Sequence, residues 1–213
     1  TYLEDINYIE FIDNFEVNDY DFGSYKRVAN NYHNNNIFFL NSHSYPISNY
    51  WLKNISDHYK PNSIIATTAS YESLLSSITI KKFYKILSFL LKINHYKKKF
   101  NKFPNPHIRT TGFLINSNDF LLFMNSNTVT CKEDAWYLES GKNSLTNFFK
   151  KKNYDIFVVN SDGKKFSEKN WPFSETYNYS NQSKSIISDK HTRKYISLSK
   201  IQKNICQLKT WGI

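Results

Sequence analysis

At 213 residues the chain is long enough for one domain with a substantial hydrophobic core. Its most apolar stretch, residues 83–93, is broken by Lys85, Ser88 and Lys92. It falls short of the roughly 20 apolar residues of a membrane span, so the chain reads as soluble. The 28 Lys and Arg against 18 Asp and Glu give a formal charge of +10, a balance suited to nucleic acid, anionic lipid or a phosphorylated small molecule. Lys, Asn, Ile, Tyr and Phe are also the residues of A/T-rich codons, which assigns part of that charge to composition rather than to a partner. Cys131 and Cys206 form neither a metal pair nor a disulfide framework, as expected of a reducing, cytoplasmic compartment. Thr1 follows no signal-peptide pattern and reads as an internal start.

Residues 1–18 offer one strand, residues 8–12, with Asp13-Asn14 at its end. Residues 23–32 space Tyr25, Val28, Ala29 and Tyr32 along one face of a helix. Asn34-Asn35-Asn36 then turns the chain into a short buried strand, residues 37–40, which stops abruptly in Asn41-Ser42-His43-Ser44. Ser48 is placed to cap a helix running through Trp51, Leu52 and Ile55 to about residue 59, closed by Pro61-Asn62. Residues 64–68 form the next strand. This alternation of helix and strand with short joins predicts a largely parallel sheet.

Over residues 80–93, Phe83, Ile86, Leu87, Leu90 and Leu91 repeat at helical spacing and read as core packing. Residues 97–106, basic and holding two prolines, read as a mobile excursion. Further on, residues 108–115 read as a strand, 119–124 and 144–152 as helices, the latter capped by Ser144, and 155–160 as a buried strand. Asp162-Gly163 makes a turn. Residues 194–211 read as one closing helix with Tyr195, Leu198, Ile201, Ile205 and Leu208 on one side. There is no internal repeat and no low-complexity tail. The chain thus reads as a single domain over residues 1–213. Residues 1–75 and 107–213 form its two portions, and a helix and basic loop at 76–106 join them.

Four polar clusters fall at strand ends or in loops. Asn41, Ser42 and His43 end the first strand, at the rim where open α/β sheets bind ligands. In the second cluster, alternation sends His107 and Arg109 to one side of a strand, where a guanidinium can hold a phosphate or pair with a structural carboxylate. The third sets Glu133, Asp134 and Glu139 among aromatics, as a general base beside a sugar platform requires, although Glu133 and Asp134 equally suit a helix N-terminus. The fourth is Asp189-Lys190-His191-Thr192-Arg193, with a phosphate or metal role for His191 beside its carboxylate and Arg neighbours.

Several short pieces, in this order, carry a resemblance. Asp21-Phe22-Gly23-Ser24-Tyr25, Phe39-Leu40-Asn41-Ser42, Trp51-Leu52 and Ala69-Ser70-Tyr71-Glu72-Ser73 come first. They are followed by His107-Ile108-Arg109-Thr110, Lys132-Glu133-Asp134, Glu139-Ser140-Gly141, Ser144-Leu145-Thr146, Asp162-Gly163, Trp171-Pro172, Asp189 with Thr192, and Trp211-Gly212. Together they resemble bacterial glycosyltransferases of the GT-A fold from cell-surface polysaccharide biosynthesis. The resemblance implies an α/β, Rossmann-like, mixed and mostly parallel sheet flanked by helices, with residues 1–75 on the donor side and 107–213 on the acceptor side. It implies transfer of a sugar from a nucleotide-sugar donor to a cell-surface glycan or lipid-linked acceptor, at or near the inner face of the plasma membrane. Asp134 would then be the base with Glu133 and Glu139 nearby, while Asp21, Asn41, Ser42, His107, Arg109 and Arg193 bind the donor. Where that fold has acidic metal ligands this chain has Asn41-Ser42-His43. A Mg or Mn ion would then rest on Asn41, His43 and His191, or give way to Arg109 and Arg193. Two other readings are a basic nucleic-acid-binding protein and a catalytically inactive glycan binder. No nucleic-acid motif appears, and no nucleic-acid partner is expected.

Overall fold

The computed structural model describes residues 8–12, 18–78 and 86–213. Asp13, Asn14 and Phe83, singled out above, lie outside the described residues. Residues 8–12 are exposed and form no strand, against expectation.

Helix α1 (Tyr20–Asn31) buries Phe22, Tyr25 and Ala29 on the face that the spacing predicts. Strands β1 (Asn36–Leu40) and β2 (Tyr45–Pro46) follow, then α2 (Trp51–Ser56), β3 (Ser63–Ala66) and β4 (Ala69–Ser70). Ser48 does not cap α2: Tyr50 intervenes with a left-handed backbone, and the Ser48 hydroxyl has no hydrogen-bond partner among the described residues. Helix α3 (Ile86–Lys99) and strands β5 (His107–Ile108) and β6 (Gly112–Asn116) come next. Helices α4 (Ser117–Met124), α5 (Lys132–Ser140) and α6 (Leu145–Lys150) then lead to β7 (Asp155–Val159) and β8 (Lys165–Phe166). The caps of α4 and α6 are Asn116 and Ser144, whose side chains accept from Asn118 N and Asn147 N. A 3-10 helix (Glu168–Ser174), strand β9 (Ile187–Ser188) and helices α7 (Lys190–Ile196) and α8 (Lys200–Trp211) complete the chain.

The main sheet has the order β1-β6-β3-β7-β8 and is mixed. Among the described residues only β3 and β7 pair in parallel; β6 runs antiparallel to both β1 and β3, and β8 antiparallel to β7. The mostly parallel sheet is thus corrected to a mostly antiparallel one. The physical reason is that β6 enters from the rim at which β1 and β3 end, and inserts between them. Periodicity marks strands but carries no pairing direction. Strands from both predicted portions share this sheet.

Side-chain alternation fills both faces. Phe39, Ile64, Ala66, Phe113 and Ile115 face the larger core with α1, α4 and α6 residues, whereas Ile65, Leu114 and Val159 meet Ile55, Ile186 and Ile187 on the other side. The larger core is rich in rings: Tyr25 stacks on Phe39 at 4.5 Å and Phe39 meets Phe120 at 4.7 Å.

Three further expectations change. The face Ile86, Leu87, Leu90 and Leu91 of α3 does not pack in the core but stands exposed. Residues 97–106 are not a loose loop: Lys97 to Lys99 finish α3, Phe100 is buried, and Asn105 donates to Ser140 O at 2.7 Å. The closing helix divides in two because Ser199 and Gln202 form a capping box that starts α8 afresh. The Asp162-Gly163 turn forms as read, with Gly163 at φ +72°.

Candidate functional site

Because β1 and β3 run the same way and β6 opposes both, the last residues of the first two meet the first residues of the third at one rim. Leu40 pairs with Gly112, and Asn41 N reaches Thr111 O at 3.5 Å. Thr67 N donates to Gly112 O at 3.0 Å, and Arg109 N to Thr68 O at 3.0 Å. The expected single strand over 108–115 is interrupted here, at Arg109 to Thr111, and a cavity of about 440 Å³ opens over the break. Asp21, Asn41, His43, His107, Arg109, Glu139 and His191, all expected site residues, line it.

Arg109 is 7% exposed and its guanidinium lies 3.9 Å over the Tyr177 ring. Nη1 approaches Asp189 Oδ2 to 2.8 Å, yet the contact is off line for a hydrogen bond and Nη1 has no aligned acceptor among the described residues. Burial alone would lower the Arg109 pKa, but Tyr177, Asp189 and Glu139 outweigh it and raise it. The cation is thus fixed. Asp189 is itself the cap of α7, its Oδ1 accepting from His191 N and Thr192 N at 2.7 Å each. Burial pushes the Asp189 carboxyl up, but Arg109 and the cap bonds prevail and hold it below the usual range.

His107 is held by its own loop, with Nδ1 2.8 Å from Asn105 O. A carbonyl only accepts, so Nδ1 carries the hydrogen and Nε2 offers a lone pair while the ring is neutral. Burial first, then the Arg109 charge, lower the pKa of His107 against the opposing pull of Glu139. This arrangement suits a hydroxyl better than the anionic groups expected for His107. His191, on the exposed rim, is lowered by the same two influences.

Glu139 projects from the last turn of α5. Its Oε1 accepts from Thr110 N at 2.9 Å and Thr110 Oγ1 at 3.2 Å, while Oε2 has no hydrogen-bond partner among the described residues. The carboxylate is therefore aimed and half free. Asp21, in the first turn of α1, has its pKa raised by desolvation and then by the Glu139 charge, with His43 pulling it back. Two acids thus face one mouth.

The other expected residues are engaged elsewhere. Asp134 does not line the cavity: it closes the capping box of α5, Oδ2 accepting from Thr130 N at 3.1 Å, Thr130 Oγ1 at 2.8 Å and Cys131 N at 3.2 Å. These hydrogen bonds, the Thr130 side chain's above all, lower its pKa. Glu133 is also outside, held at 2.7 Å by Lys99 and 2.6 Å by His95. The local rule that acids favour a helix N-terminus accounts for both. Ser42 lies in an exposed turn, and Arg193 packs over Tyr45 at 5.3 Å, with Nη2 3.3 Å from His43 O. Asn41 and His43 reach the cavity, but Asn41 Oδ1 is occupied by Ser44 Oγ at 2.6 Å and His43 N at 3.2 Å. Among the described residues no three His, Cys, Asp or Glu side chains are grouped to hold a metal ion. Asn41, His43 and His191, the donor set expected for a Mg or Mn ion, all line the cavity.

The lining also holds Tyr20, Glu72, Lys132 and Tyr177, which are not among the expected site residues, and Trp136, one of the aromatics expected as a sugar platform. Glu72 follows β4 just past the end of β3, so the strand-end rule that found Asn41 applies to it too. Tyr177 sits in an irregular stretch with no periodic signal. No helix among the described residues is long and apolar enough to cross a membrane. Comparison of the chain with models of known families, with curated proteins and with solved structures gave no match in any of the three.

Proposed function

We propose that the protein is a glycosyltransferase acting on a nucleotide-sugar donor, with a glycan or lipid-linked acceptor, and that its site is the cavity over the β5–β6 break. The observation that supports this best is the meeting of a fixed cation, Arg109, with an aimed, half-free carboxylate, Glu139, in a cavity of ligand size. Transfer needs those two functions together. In this reading Glu139 Oε2 takes the proton of the acceptor hydroxyl as its oxygen bonds to the anomeric carbon. The bond from that carbon to the diphosphate breaks, the electron pair leaves with the phosphate oxygen, and Arg109 stabilises the developing charge. His107 Nε2 accepts from a sugar hydroxyl and fixes the ring, and the Trp136 and Tyr20 faces in the lining offer apolar surface for its C–H groups. The base is Glu139 rather than Asp134, whose oxygen is committed to the cap of α5.

The test has two arms. A nucleoside diphosphate at about 100 times its Kd adds about 2.7 kcal/mol, which for a chain of this size raises Tm by roughly 5–10 °C. Glu139→Gln keeps that shift and loses about a hundredfold or more in nucleoside diphosphate release from the donor sugar. The proposal fails if no nucleoside diphosphate moves Tm, or if Glu139→Gln turns over like the wild type.

A further inference from the structure

We infer that α3 is a docking surface for an anionic lipid bilayer. Successive helix residues turn by about 100°, so Ile86, Leu87, Leu90 and Leu91 share an arc of about 140°. They are 51%, 68%, 54% and 64% exposed, so four aliphatic side chains stand in solvent on two adjacent turns. The adjoining side of the same helix is the one that packs: Tyr96 is buried, and Phe89 and Ile93 are half-buried. The face is thus apolar in addition to, not instead of, a packed side.

Charge names the occupant. Lys97 and Lys98 fall within the apolar arc one to two turns further on, both exposed. Lys142 adds a neighbouring ammonium, its Nζ lying 2.7 Å from Lys97 O. Between Glu72 and Asp119 the sequence holds eight lysines and no Asp or Glu. A second copy of the chain would bring the same positive charge against this face, and a neutral apolar partner would leave the lysines unused. A bilayer rich in anionic headgroups takes leucines below its surface and lysines at it.

The placement also serves the cavity. The segment leading towards α3 contributes Ser73, Leu74 and Ser77 to the lining, and His95 and Lys99 of α3 grip Glu133 on α5, the helix that carries Glu139. A docked α3 therefore holds the cavity near the membrane surface. The inference does not rest on the transferase reading, because docking is measured without donor or acceptor.

The test is sedimentation of the full chain with vesicles of phosphatidylcholine alone and of phosphatidylcholine with phosphatidylglycerol. Binding is expected to the anionic vesicles only, weakening with salt. Leu87→Gln/Leu91→Gln should reduce partitioning at least tenfold with Tm unchanged, since both side chains are exposed. Lys97→Gln/Lys98→Gln should reduce it too, by roughly fivefold per lysine. Three results overturn the inference: no sedimentation with either vesicle, binding that neither double variant weakens, or a dimer in sedimentation velocity that Leu87→Gln/Leu91→Gln dissociates.

Discussion

Truncating Asp189 to alanine removes two supports with one side chain. Oδ1 caps α7, and loss of an aspartate cap costs about 1 kcal/mol. Oδ2 is the counter-charge of Arg109, which is 7% exposed, and removing one partner of a buried pair costs about 3–5 kcal/mol. The lower end applies, because the contact is off line and the Tyr177 face supports the guanidinium independently. The expected loss is about 4 kcal/mol, a large share of the roughly 5–15 kcal/mol of a typical domain. At about 2 kcal/mol per molar urea, the unfolding midpoint falls by about 2 M at constant slope. Asp189→Asn keeps an acceptor for the cap and is expected to lose less. Because the folded Asp189 pKa lies below its unfolded value of about 3.9, the stabilisation is complete above that value. It is lost as pH falls through the folded pKa, so wild type and Asp189→Asn converge in strong acid. Adding Arg109→Met to Asp189→Ala removes the stranded charge and should restore part of the loss as a coupling energy. A midpoint drop under about 0.5 M for Asp189→Ala, or no recovery on adding Arg109→Met, refutes the reasoning.

Asp134→Ala, which opens the α5 capping box, is expected to lower stability by about 1 kcal/mol in urea melts while leaving donor turnover within a few-fold of wild type; a hundredfold loss in a folded variant would return the base role to Asp134. For His107 and His191 the folded pKa lies below the unfolded value of about 6.5, so the unfolded chain takes up protons first. Stability from these rings should be full above about pH 6.5 and fall on acidification, by at most about 1.4 kcal/mol per pH unit for each ring. Urea melts at a series of pH values should show a shallower slope for His107→Gln.

Much of the fold is legible because strands and helices follow from local spacing. Residues 37–40 and 155–160 are short apolar runs that end where β1 and β7 do, within a residue, and α1 buries the face its periodicity marks. Pairing direction is not local. Nothing in residues 108–115 says that the strand opens at a rim and runs back between β1 and β3, so the sheet reads as parallel until the register is seen. The same limit explains α3: its heptad-like leucines fit a core helix, and only the tertiary structure shows that the packed side is the one with Phe89, Ile93 and Tyr96. Among the carboxylates, Asp134 lies outside the cavity for a local reason as well. Thr130 and Cys131 supply donors four and three residues upstream, and a helix start beside them engages the acid whose neighbours resemble a catalytic loop.

What the sequence does mark, and the structure explains, is the four-residue span from Ile108 to Thr111. A strand that continued through it would alternate and send Arg109 and Thr111 to one face. Interrupted, the same residues serve separate ends: Arg109 turns to Tyr177 and Asp189, Thr110 holds Glu139 through two hydrogen bonds, and Thr111 accepts from Asn41 and meets Thr68 at 3.3 Å. Ile108, fully buried, anchors the near side, its N–H donating to Thr146 Oγ1 at 2.9 Å. Cation and carboxylate are therefore not independent features that share a cavity. Both take their positions from one break in the backbone, and a substitution that straightens it displaces the two together. Thr110→Val isolates the carboxylate's share of that position: it deletes one of the two bonds to Glu139 while leaving the backbone bond and the side-chain volume in place. With Glu139 as the proposed base, the expected result is a fall in turnover with little change in nucleotide binding, since the bond lost orients that carboxylate and not the guanidinium.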